Sequence, residues 1–219
     1  EMQAKIIQSF ERLRDFDNAT KAREFLVANY SEGSTWYEAN KFNYDILRKA
    51  AELTEKSLLS AAIFHHQQAQ AMKKAGKTEE AVNEYLLGAE GYETYLKKYP
   101  FTKQKYELTY YLADSLYYSL NFSKAADYYK QVRDNEANKK FHEDASFSLY
   151  DCYAKEVEIQ IKKGLVEDRK VVKLDEREKG KTISPSEIPG LIKNRIEASD
   201  YYLTRYKTDT ASAMSYLSA

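Results

Sequence analysis

Three histidines, His65, His66 and His142, and one cysteine, Cys152, are the side chains with the most chemistry to offer. Histidine moves protons near neutral pH and ligates metals. A thiol beside a histidine can become a nucleophile. The spacing works against both uses. Neighbouring residues on a helix point about 100° apart, so His65 and His66 cannot chelate one metal as an i, i+4 pair would. One of them is expected against a partner helix and the other in solvent. His142 lies ten residues before Cys152, too far along a helix axis for a Cys–His dyad, so Cys152 reads as a packed thiol. Gly88 and Gly91 fall inside a helical pattern and build no phosphate-cradling loop. Carboxylates are abundant, but none form a distinctive pair and most fit solvated helix faces. The expectation is a chain that is not an enzyme, with no catalytic set, no cofactor and no metal.

Composition narrows the class. Lys+Arg and Asp+Glu both number 34 in 219 residues. Nucleic-acid binding draws on an excess of cations over phosphate, and there is no global excess here. No run of 18 or more apolar residues exists, so no membrane insertion is expected. With only 7 Gly and 3 Pro, turn punctuation is sparse, which argues for long helices over a β-sandwich or barrel. A single cysteine assigns no compartment. The 20 tyrosines suit interfaces and equally the packing between helices. The chain opens at Glu1 in a helical pattern and closes at Ala219 in what reads as a fresh helix, so it is expected to be a fragment or a processed chain.

The elements that must position these residues are helices. Glu1 to Arg14 places Ile6, Ile7, Phe10 and Leu13 at helical spacing. Asp15 to Asn18 reads as a capped turn, and Ala19 to Tyr30 as its partner, with Ala22, Phe25 and Leu26 inward. Thr35 is a candidate cap for a helix from Trp36 to about Leu53, and Thr54 with Ser57 for a break. Leu58 to Ala75 follows, closed by Gly76 in a left-handed conformation. Thr78 is read as capping a helix that runs through Gly88 and Gly91 to Tyr99. Each of those glycines costs about 1 kcal/mol against Ala, which a close helix–helix contact would offset. Tyr106 to Leu120, Ser123 to Asp134 and Glu143 to Lys162 are further helices. Gly164 to Ser184 is charge-dense and reads as a partly disordered connection. The last long helix runs to about Lys207, with Ile188, Ile192, Ile196 and Leu203 on one face, and Asp209 caps another.

Two of these stretches repeat. His65 to Tyr92 and Thr109 to Val132 share a small residue in a first helix, a polar turn, and an Ala followed by an aromatic four residues on. Ala81 with Tyr85 matches Ala125 with Tyr129, an offset of 44 residues between positions 81 and 125. A period of this kind indicates helix pairs that bury their apolar faces only by stacking. The expected fold is all-α, with residues 1–163 as helix pairs, 164–185 as the connection, and 186–219 as a long helix and the start of a further repeat.

Leu112-Ala113, Leu116, Tyr117, Phe122, Ala125, Tyr129 and Val132 resemble a tetratricopeptide repeat. Ala69, Met72, Gly76, Ala81, Tyr85 and Gly88 are the earlier copy. Ala19 after Asp15-Phe16 is similar to a third, and Phe147-Leu149-Asp151 starts a fourth. The family period is about 34 residues, so this chain departs from it with longer helices or loops. The long helices and Tyr99-Pro100 are more similar to bacterial cell-envelope tetratricopeptide proteins. The resemblance implies a right-handed solenoid of antiparallel helix pairs whose first helices line a concave face. It implies that His66, Gln70 and Lys73 face the groove from one repeat, Tyr110, Asp114 and Tyr117 from the next, and Phe147 and Asp151 from the one after. Such a patch, aromatic and of mixed charge, suits a protein or peptide segment. The family's clamp for a chaperone C-terminus uses Lys and Asn, and the residues at those positions here differ, so a chaperone adaptor is not expected. The implied function is a protein–protein interaction scaffold in a cell-envelope complex, in the periplasm or at the outer membrane. The alternatives are a structural spacer with an idle groove, a non-catalytic region of a larger enzyme, and a cytoplasmic setting.

Overall fold

The computed structural model describes residues 1–13, 15–167 and 187–206. Among the described residues regular structure is entirely helical. The chain divides into two compact units, Glu1–Leu120 and Asn121–Ala219.

The first unit begins with α1 (Met2–Arg12) and α2 (Phe16–Tyr30). The Asp15 carboxylate accepts from the Asn18 backbone N–H at 3.3 Å, satisfying a donor that the helix itself leaves unpaired. Ile7, Ala22 and Leu26 form a small core, with Phe10, Tyr30 and Leu53 packed around it. Phe25, expected inward, is exposed. Ala22 and Leu26 lie one turn apart, and Phe25 is rotated about 100° off Leu26.

The segment after Gly33 departs most from expectation. Ser34, not Thr35, caps α3 (Thr35–Ala39), its hydroxyl accepting from the Tyr37 N–H at 3.1 Å. The helix then breaks at residues 40–43, and the Asn43 side chain caps α4 (Tyr44–Lys74), accepting from the Ile46 N–H at 3.3 Å. No break follows at Thr54 or Ser57. The Thr54 hydroxyl donates to the Ala51 carbonyl at 3.0 Å, so it is satisfied without interrupting the ladder. Gly76, at φ +77°, ends this helix as expected. Lys77 occupies the cap of α5 (Thr78–Lys98), which makes Thr78 its first residue instead of its cap. α6 (Lys105–Tyr118) completes the unit.

In the second unit, α7 (Phe122–Arg133) packs on α8 (His142–Lys162), and α8 packs on α9 (Gly190–Tyr206). Their buried residues are mostly small or aromatic: Ala125, Ala126 and Tyr129 on α7, Ala145, Ser146 and Cys152 on α8, Ala198, Ser199 and Tyr202 on α9. The expected isoleucine face is only partly inward: Ile192 and Leu203 on α9 are half-buried, whereas Ile196 and, ahead of the helix, Ile188 are exposed. Most of the charged connection, from residue 168 onward, and the helix expected after Asp209 lie outside the described residues.

Candidate functional site

Two glycines draw α5 onto α4. A Cβ on Gly91 would stand 2.8 Å from the Ala62 Cβ, and one on Gly88 would stand 3.2 Å from the His66 backbone nitrogen. The glycines are therefore the condition for the approach, and the contact offsets their helix cost. Tyr95 donates to Glu55 at 2.9 Å, so residue numbers rise along α4 as they fall along α5. The two helices run in opposite directions.

His66 sits at the centre of this packing. Its side chain is buried, with the rings of Tyr85, Tyr92 and Tyr111 at 5.8, 5.9 and 5.8 Å, each edge-on. The Gln70 amide lies 3.0 Å from Nε2, and the Ser115 hydroxyl 3.2 Å from Nδ1. With the amide donating to Nε2, the ring proton belongs on Nδ1, which donates to Ser115 Oγ. Asp114 stands 3.8 Å from Nε2. Burial disfavours the imidazolium and lowers the His66 pKa to about 4. A serine, a histidine and an aspartate thus meet here, but Ser115 is fully buried within α6, out of reach of a substrate. The arrangement works as a polar lock joining α4 to α6.

Outside the lock the same helices carry a mixed surface. Lys73 places its ammonium 3.4 Å over the Tyr118 ring, and Tyr118 stacks on Tyr85 at 5.0 Å. Burial, then the charge of Asp114, pushes the Tyr85 hydroxyl up to about 12. Burial also pushes Tyr92 up. Tyr110 contacts Tyr111 at 6.0 Å, and Tyr117 meets Tyr118 edge-on at 5.1 Å.

Of the residues expected on one face, the first unit holds six. Gln70 and Lys73 are exposed, Tyr110, Asp114 and Tyr117 half-buried, and His66 buried. His66 is therefore not presented to a ligand, because three tyrosine rings close over it. Phe147 and Asp151 belong to α8 in the second unit. Phe147 packs 5.4 Å from Tyr202, and Asp151 adds to the burial that raises the Cys152 pKa. The sequence reading passed over Tyr111, Ser115 and Tyr118. Their i, i+4, i+7 spacing was the available signal, since it marks one helical face turned toward α4.

The other two histidines also have partners. One of His65 and His66 was expected in solvent, but His65 too is largely buried and binds Glu84 at 2.8 Å. His142 binds the hydroxyls of Tyr206 and Tyr201, the latter at 3.3 Å. Cys152 is buried, and burial raises its pKa. No helix among the described residues is long and apolar enough to cross a membrane. Comparison with protein-family models, curated proteins and solved structures found no match.

Proposed function

We propose that the chain is an interaction scaffold, a tetratricopeptide-like stack of antiparallel helix pairs that holds a protein or peptide segment against the α4 and α6 faces of its first unit. The observation that carries this reading is the lock. A histidine buried among three tyrosines ties α4 to α6 and fixes the spacing of the side chains outside it. Those side chains are aromatic and of both signs: Lys73, Asp114, Tyr110, Tyr117 and Tyr118. Rigid tyrosines lose little conformational entropy on binding and supply both apolar area and a polar tip. His66 holds the surface in place, and Gln70 and Lys73 form its α4 edge. A cell-envelope complex is the setting implied by the resemblance of the repeats.

The test has two stages. A photo-crosslinking amino acid at Lys73 is compared with one at Leu87, which is exposed on α5. A partner captured from position 73 and not from 87 is then purified and titrated. Tyr117→Ala with Asp114→Lys is expected to weaken its binding about 30-fold, since an aromatic anchor contributes about 2 kcal/mol. Equal capture at both positions, or unchanged affinity in the double variant at unchanged helicity, rejects the face. Absence of capture at either position favours a spacer.

A further inference from the structure

We propose that the cleft between α1, α2 and α4 binds a tetrahedral oxyanion: a phosphate, free or at the end of an ester. The inference concerns a different part of the first unit from the α4–α6 face and does not rest on the scaffold reading. It starts from Arg23 on α2. The residue is only 5% exposed. One guanidinium nitrogen, Nη2, donates to the Glu11 carboxylate at 2.5 Å. The other, Nη1, is buried and has no hydrogen-bond partner. An unpaired buried donor costs about 1–3 kcal/mol, and more when it is charged, so a guanidinium in this position creates a demand for an acceptor.

Arg23 also lines a small half-open cavity of about 80 Å³. The Gln8 amide from α1, and Lys56, Ser57 and Ser60 from α4, join Arg23 of α2, so donors reach the wall from three helices, and Ala4, Ile7 and Leu53 supply its apolar part. Lys56 and Ser60 lie one turn apart and share a helix face. Two cations and one carboxylate, Glu11, leave the wall with one net positive charge. A water needs about 10–15 Å³ of such space, so the cavity exceeds one water and has room for a compact anionic group. Donors arriving from three helices suit an acceptor whose oxygens point in several directions, as phosphate's do, better than a planar carboxylate. The Arg fork and the Lys point charge are the usual pair for phosphate. The open side leaves room for an ester substituent to run into solvent. Thr20 Oγ1, three residues before Arg23 on α2, is the other unpartnered buried side-chain atom among the described residues.

The test uses the whole chain at constant ionic strength, with chloride as the balancing anion. Inorganic phosphate at about a hundred times its Kd is expected to raise the thermal midpoint by about 5 °C, and acetate at the same concentration much less. Lys56→Gln with Ser60→Ala, both on the accessible wall, is expected to weaken phosphate binding in calorimetry about tenfold or more. Its midpoint without phosphate should match the parent, which separates loss of the site from loss of the fold. Arg23→Lys is expected to abolish binding, and the milder double variant covers the case in which it does not fold. Glycerol 3-phosphate binding at least as tightly as inorganic phosphate assigns the esterified form, and weaker binding assigns the free ion. Phosphate acting no differently from chloride overturns the proposal. So does an equal response to acetate, or an undiminished response in Lys56→Gln, Ser60→Ala.

Discussion

His66 and His142 are both held toward the neutral form, and for different reasons. His66 is walled in by rings, and burial alone lowers its pKa to about 4. His142 lies at the start of α8 and is half-buried, so desolvation reaches it less completely. Its pKa is lowered first by that burial, then by the positive charges of Lys139, Arg205 and Arg133. The Arg133 and Arg205 guanidiniums lie 4.6 and 4.4 Å from the Tyr201 ring, whose hydroxyl binds His142. The first histidine's shift therefore answers to packing and should respond little to salt. The second answers in part to charge, and salt should screen it.

The largest expected effect follows from His66. In the unfolded chain its imidazole takes up a proton near the ordinary 6.5, whereas in the fold it resists until about 4. Its contribution is thus complete above pH 6.5, declines as the pH falls below that value, and is fully lost below 4. The total is on the order of 3 kcal/mol. Denaturant midpoints measured from pH 7.5 to 4.5 should fall less steeply for His66→Phe than for the parent. Parallel curves would mean that the ring is charged or solvated in the fold. Gly91→Val tests the seat of the same histidine. Its Cβ would overlap Ala62, and the forced separation of α4 and α5 should cost about 2 kcal/mol, within the usual overpacking range. An unchanged midpoint would show that the helices do not approach so closely.

His142→Phe is expected to cost about 1–2 kcal/mol, since it removes two hydrogen bonds each of a net value near 1 kcal/mol. Its pH-dependent part should shrink in 0.5 M salt, while that of His66 should not. Equal salt responses at the two histidines would erase the contrast between them. The smallest effect is expected for Lys73→Met, which keeps the aliphatic stem and removes the charge over Tyr118. A cation–π contact at an exposed site contributes about 0.5–1 kcal/mol, and thermal denaturation of the pair of proteins would measure it.

Much of this was legible in the chain, and what was missed shares a cause. Gly88 and Gly91 announce a close approach because a glycine inside a helix needs a compensating contact. Ala113 and Ala125, placed at helix crossings by the repeat, are fully buried. The bounds of α5, α7 and α8 fall within a residue or two of expectation, since turns and Pro100 punctuate them. Hydrophobicity failed where it was asked to identify a face. Phe25, Ile188 and Ile196 are exposed, whereas Ala198, Ser199 and Tyr202 are buried. Where small residues let helices come close and tyrosines fill the remaining space, the most apolar side chain is a poor marker of the inside. The α6 partners of His66 and Lys73 were missed for a related reason. The degenerate repeat motif picked out Tyr110 and Tyr117, and the rings that meet His66 and Lys73 belong to Tyr111 and Tyr118, one position on. Hydroxyl residues near a helix misled as well. Thr54 can bond to its own helix as readily as it can end one, and sequence does not distinguish the two.

α4 has a consequence for how the first unit comes apart. It is 31 residues long, about 46 Å at the helical rise. α2 lies along part of it, with Phe16 5.1 Å from Phe64, and α5 lies along much of it, from Glu55 to the glycine contacts at Ala62 and His66. Stacked repeats ordinarily unravel one at a time from an end, each answering only to its neighbour. Here one rod is the floor of both layers, and α4 cannot unravel without releasing both. Pulled by its termini in a force experiment, residues 1–120 should therefore give way in a single rupture and not as a staircase.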